Sequence, residues 1–243
     1  MAKRQIWLFG DSYSSTDPNH AHLQYCWPYK LSRMYSLVNF SISGTGPDYQ
    51  FLKLQDRIEA TKNIENLKAV TIIFFMSNDS RKNFSFLRKV SDACFMIHTA
   101  MDTEDSSPTM EYRKEEYREH KPFLKKFFKT YYFHNNKEEL SMLKNVAFLK
   151  EISKLFNKVL VIPVFDMPYG KLHEKFTLNV EPTPNFHVAE GPTMYDVSKD
   201  LDPNYFSIPN HLPHSHHDIM LNALIDWIEE DNLINTNIFK NKG

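Results

Sequence analysis

QIWLFGDSYSS, residues 5–15, is the stretch around which the rest of the chain is organised. Gln5 to Phe9 is a short apolar run with the look of a buried strand, and it stops at Gly10-Asp11-Ser12. A strand that ends in glycine and presents a serine is a common way to aim a hydroxyl. The glycine permits a tight backbone exit, and the serine then stands at the start of the next segment, where unpaired N–H groups favour developing negative charge. Gly-Asp-Ser is also ordinary turn chemistry, so its meaning depends on what the other strand ends carry.

Working outward, LVNFS at 37–41 is a second short strand, which runs into the loop SGTGPDY at 43–49 and then a helix over 49–67. AVTIIFFM at 69–76 is a continuous apolar, β-branched run that ends in Ser77-Asn78-Asp79. Such runs are typical of strands covered on both faces in a parallel sheet. KVLVIPVF at 158–165 has the same character, with Pro163 marking its end or a position near an edge. Helices fall between the strands. CWPYKLSRMYS at 26–36 has Pro28 in its first turn. Leu140, Leu143, Val146, Leu149, Ile152 and Leu155 recur at helical spacing over 139–156. The last helix carries the stripe Met220, Leu221, Leu224, Trp227 and Ile228, and Ser215 with Asp218 has the spacing of a capping box at its start. A proline-rich loop is expected over 166–209, and the tail INTNIFKNKG at 234–243 reads as frayed or loosely docked. Residues 80–138, with the charged run EYRKEEYREHK and the aromatic cluster FLKKFFKTYYFH, read as a mostly helical insertion over the sheet's C-terminal edge. It is either an extra packing layer or a cap that shapes a cleft.

Strands alternating with helices predict a single α/β domain over 1–243, with a parallel sheet covered on both sides. In such sheets, sites gather beyond the carboxyl ends of the strands. The first three strands end in Ser12, Gly44 and Asn78.

Composition narrows the function classes. The chain has 243 residues, 42% of them apolar and 24% charged, an ordinary globular balance. A net charge of −1 gives no electrostatic case for nucleic acid or an anionic membrane, even with the basic and aromatic cluster at 123–134. Two cysteines, Cys26 and Cys94, make no disulfide framework and read as small buried apolar residues. The start, Met-Ala-Lys-Arg-Gln, lacks the apolar stretch of a signal peptide, and Ala69 to Met76 is too short to span a bilayer. A cytoplasmic protein with no membrane span is expected. His211, His214, His216 and His217 could be read as metal ligands, but neither a cysteine cluster nor a matching carboxylate pair accompanies them. No metal or cofactor is expected.

Acyl transfer needs a nucleophile, a base to take its proton, and donors for the oxyanion of the tetrahedral intermediate. Ser12 is the candidate nucleophile. The backbone N–H of Ser12, a backbone N–H at Gly44 and the amide of Asn78 are the candidate donors. NHLPHSHHDIM at 210–220 is the source of a base. Each residue also has a plainer role available: Asn78 as a helix cap, Gly44 and Gly46 as turn glycines, Asp11 as a structural support for the loop around Ser12.

FGDSYS at 9–14, NFSISGTG at 39–46, MSND at 76–79 and HLPHSHH at 211–217, in that order, resemble the motifs of the SGNH (GDSL-type) hydrolase family. WPYKL at 27–31 resembles that family's first helix. The resemblance covers roughly 1–80 and 139–230 and leaves out the insertion. It implies a three-layer, flavodoxin-like fold, Ser12 as nucleophile, Gly44 and Asn78 completing the oxyanion hole, His211 as base and His217 as a second, structural histidine. The aspartate that usually precedes the family's catalytic histidine by two or three residues is missing, because Ile208 and Pro209 stand there. Asn210, Asp200, Asp202 or a backbone carbonyl could orient His211 instead, or the pair could act as a dyad. The glycine that often precedes the third motif's asparagine is also absent, with Ser77 in its place. By resemblance the chain is a serine esterase or deacylase acting on a small acyl ester or an acylated glycan, such as one bearing O-acetyl groups. A catalytically weak binding protein of the same shape, or an acyltransferase using the same residues, is the alternative.

Overall fold

A computed structural model describes residues 4–16, 23–43, 45–77, 81–82, 95–96, 122, 126, 137–165, 182–201, 204 and 211–242. Its centre is a five-stranded, wholly parallel sheet of β1 (Gln5–Phe9), β2 (Ser36–Asn39), β3 (Val70–Met76), β4 (Lys158–Pro163) and β5 (Phe186–Val188), in the spatial order β2-β1-β3-β4-β5. This is the flavodoxin-like order, whose direction reverses between β1 and β3. The reversal leaves a crevice at the carboxyl end of β1, where Gly10-Asp11-Ser12 begins.

Alternation along the strands builds two core layers. Ile6, Leu8, Ile73, Phe75, Leu160 and Ile162 pack against α1 (Trp27–Met34) and α5 (His214–Glu230) through Trp27, Leu31, Met220, Leu224 and Trp227. Trp7, Phe9, Ile72, Phe74, Val159 and Val161 face the other way, toward α2 (Pro47–Glu59) and α3 (Lys137–Ser153) through Leu54, Leu143, Val146 and Leu149. All seven residues of β3 are buried, in line with the unbroken apolar run that predicts it.

The structure departs from the sequence expectations at several elements. The helix expected over 49–67 is two elements. α2 starts at Pro47 behind Gly46 and ends at Glu59, and a 3-10 turn follows over Ile64–Ala69. Asn63 separates them, its side chain accepting the Glu65 N–H at 3.0 Å. The proline-rich stretch 166–209 is not simply a loop: its described part contains β5 and α4 (Met194–Leu201). Thr193 caps α4, its hydroxyl accepting the Asp196 N–H at 3.1 Å and donating to the Asp196 carboxylate at 2.6 Å.

The capping box expected at Ser215 and Asp218 does not form. α5 begins at His214 directly after Pro213, which places Ser215 inside the first turn. Ser215 Oγ instead meets His216 Nδ1 at 3.0 Å, and Asp218 pairs with Lys30 of α1. The tail is docked rather than frayed. Ile234, Thr236 and Phe239 are buried, and backbone bonds Glu190 N–H to Ile234 O and Thr236 N–H to Glu190 O fix the segment beside the strand end after β5. Lys158 closes the far end of α5 by donating to Trp227 O and Ile228 O, each at 3.2 Å, where the helix dipole favours a cation.

Most of the insertion expected at 80–138 lies outside the described residues. Within it, Arg81–Lys82 pairs antiparallel with Phe95–Met96, a short ladder where a mostly helical segment was expected. Among the described residues, no helix is long and apolar enough to cross a membrane.

Candidate active site

Three strand ends are joined into one platform. A Cβ on Gly10 would lie 2.0 Å from Ser14 Oγ and 2.8 Å from Phe75 Cβ, so the position needs glycine for space. Asp11 is fully buried and its carboxylate accepts from two directions, the Tyr13 N–H at 3.1 Å and the Ser77 hydroxyl at 2.9 Å. The first bond shapes the turn that carries Ser12, and the second ties the end of β1 to the end of β3. Ser14 N–H and Ser15 N–H both return to Asp11 O, at 3.1 and 2.9 Å, which completes the turn.

The loop after β2 is fastened to the same turn. Asn39 donates to Ser14 O at 2.8 Å and accepts the Ser41 N–H at 2.9 Å, while the Ser14 and Ser41 hydroxyls meet at 2.9 Å. Ile42 N–H and the Thr45 hydroxyl each reach Gly10 O at 3.3 Å. Every one of these polar groups lies just past an apolar strand. That is the signal by which Ser14, Asn39 and Ser41 could have been found in the sequence, where they were not singled out.

The base segment arrives from the other end of the chain. His211 Nε2 lies 2.7 Å from Ser12 Oγ across 199 positions of sequence. His211 has φ of 55°, a left-handed conformation that a non-glycine residue adopts only where its surroundings hold it. Two contacts do so: its ring sits against Tyr13 with centroids 4.6 Å apart, and the neighbouring Leu212 is buried in the core beneath α5. His217, one turn into α5, accepts the Trp27 N–H on Nδ1 at 3.2 Å, and Trp27 Nε1–H donates to Tyr13 O at 3.3 Å. Trp27 thereby links the turn carrying Ser12 to the helix that follows His211.

The four histidines at 211–217, whose reading as metal ligands the sequence disfavours, have separate partners. His211 meets Ser12, His214 lies against Tyr25, His216 contacts Ser215 and stacks on Phe239, and His217 supports α1. Asp200, a candidate to orient His211, faces Lys240 of the tail at 3.8 Å. Gly44, Asn78, Asp202 and Asn210 lie outside the described residues. Cys26 is buried, and desolvation pushes its thiol up to about 11. At neutral pH it is an un-ionised thiol.

Comparison with protein-family models and with curated proteins finds no match for this chain. Among solved structures it is similar to the psychrotrophic esterase EstA from Pseudoalteromonas sp., in a form inhibited by monoethylphosphonate. That similarity covers 94% of this chain and 100% of the other, at 12% identity and a TM-score of 0.45. The chain is an α/β protein with a flavodoxin-like parallel sheet.

Proposed function

We propose that this chain is a serine hydrolase of the SGNH type that cleaves a carboxylic ester. The observation that carries the proposal is the 2.7 Å approach of Ser12 Oγ and His211 Nε2 at the carboxyl edge of the sheet. In the working tautomer His211 carries its proton on Nδ1, and the Ser12 hydroxyl donates to Nε2. As Ser12 Oγ attacks the ester carbonyl, a C–O bond forms and the Ser12 proton passes to His211. The tetrahedral intermediate collapses, the alkoxide leaves with the proton held on His211, and an acyl-Ser12 ester remains. Water then attacks that ester by the same route, releasing the carboxylic acid and restoring Ser12.

The backbone N–H of Ser12, with Gly44 and Asn78, would receive the oxyanion. Each such donor is worth on the order of a hundredfold or more in rate. Gly44 and Asn78 adjoin Thr45 and Ser77, whose side chains bond to Gly10 O and to Asp11. Asn210 or Asp202 would orient His211 through Nδ1. The substrate class is a small acyl ester or an O-acetylated carbohydrate, and the chemistry asks for no metal or cofactor.

Hydrolysis of p-nitrophenyl acetate tests the proposal. Ser12→Ala and His211→Gln should each lower kcat by about a thousandfold or more, and the double variant should be no worse than either, because the two groups act as a unit. A Ser12→Ala protein that hydrolyses the ester at the parent rate overturns it.

A further inference from the structure

A cleft of about 430 Å³ opens between the end of β2 with its following loop and α2. Its walls are the loop residues Asn39, Ser41 and Ile42 and the face of α2 that carries Tyr49, Lys53 and Arg57. The volume suits one small ligand or one terminal group of a larger one.

The polar character of the walls is one-sided. Arg57 places its guanidinium over the ring of the buried Trp7, 5.3 Å from the centroid, a cation–π contact. Arg57 Nε is buried yet has no hydrogen-bond partner among the described residues, and no carboxylate among them pairs with this guanidinium. Lys53 lies one turn away, its Nζ 5.4 Å from the Tyr49 centroid and 3.6 Å from Asp56. Among the described residues Asp56 is the one carboxylate lining the cleft; it is 56% exposed and engaged by Lys53. Two cations therefore face the cleft against one carboxylate. A buried N–H without an acceptor is costly, and a guanidinium fork matches the paired oxygens of a carboxylate or phosphate.

We propose that this cleft is an oxyanion-binding site that takes a carboxylate or phosphate group of a small ligand, held by the Arg57 fork and the Lys53 ammonium. It does not depend on the acyl-transfer proposal, and its test reads binding rather than turnover. Asn39 and Ser41 line the cleft and also fasten the turn that carries Ser12.

The experiment titrates inorganic phosphate, and separately malonate, into the full chain at low ionic strength, followed by isothermal calorimetry. The expected result is one saturable event per chain, weakened at least about tenfold in Arg57→Gln, weakened also in Lys53→Gln, and diminished by added salt. Saturation by phosphate alone assigns a phosphate monoester, by malonate alone a carboxylate, and by both an undiscriminating anion site. Lys53→Gln alters a partly exposed side chain and serves should Arg57→Gln fail to fold. The proposal is overturned if neither anion saturates the parent, or if the folded variants bind both as tightly as it does.

Discussion

Replacing Gly10 by alanine puts a methyl group into the most crowded point of the turn that carries Ser12. The added Cβ meets Ser14 Oγ at 2.0 Å and Phe75 Cβ at 2.8 Å. Ser14 can rotate away, giving up its 2.9 Å bond to Ser41, and a hydrogen bond of this kind is worth about 1 kcal/mol. Phe75 cannot yield so easily, because its Cβ is fixed to the backbone of fully buried β3. Separating β1 from β3 to admit the methyl is an overpacking cost of about 1–3 kcal/mol. The stiffer unfolded chain returns about 0.4–1 kcal/mol. The net expectation is a loss of about 1–3.6 kcal/mol, or roughly 2–14 °C in Tm for a domain of this size. Urea unfolding at constant m measures it. Placing Gly10→Ala in a Ser14→Ala background separates the two contacts, since the bond to Ser41 is then already gone and the cost should fall by about 1 kcal/mol. A Gly10→Ala protein within about 0.5 kcal/mol of the parent, or one equally destabilised in both backgrounds, refutes the reasoning.

Phe239 is fully buried in the core of the α1 and α5 layer, so Phe239→Ala should cost about 3–5 kcal/mol in urea unfolding; a change of a few tenths would mean the tail is only loosely attached. Acid should weaken the fold early. Burial holds His187 and His216 below the ordinary value of 6.5, and the Trp227 indole donates to His187 Nδ1 at 2.7 Å. Both take up a proton in the folded chain only at lower pH than in the unfolded chain, which binds protons from 6.5 downward. Stability is therefore full above that value and falls as the pH drops below it. The urea midpoint at pH 5.5 should lie below that at pH 7.5, with a shallower fall in His187→Gln; identical pH dependence in parent and variant would remove His187 from the account.

Much of the fold was legible because its signals are local. The apolar runs at 5–9, 69–76 and 158–163 belong to strands buried on both faces, and few other structures suit them. β5 was missed because three residues, Phe-His-Val, carry no periodicity; the strand exists through its pairing with β4. α4 was hidden by the surrounding prolines, although Thr193 followed by Asp196 gave a cap signature. The tail read as loose because its sequence is polar, yet Ile234 and Phe239 are buried and backbone bonds with Glu190 tie the segment down. At the site, Ser12 and His211 could be named from motif order, but their meeting is a property of the strand order and not of any local pattern. The supports were less visible. Asn39, Ser41, Tyr13 and Trp27 act through contacts between segments, and the left-handed backbone of His211 depends on packing around Tyr13 and Leu212.

The central proposal is that the Ser12 hydroxyl is activated by His211, and the most direct test is covalent capture. Incubating the folded chain with a fluorophosphonate and recording its intact mass should give a single adduct that maps to the peptide bearing Ser12, with Ser12→Ala unmodified under the same conditions. An adduct formed as fast on Ser12→Ala, or no adduct on the folded parent, contradicts it.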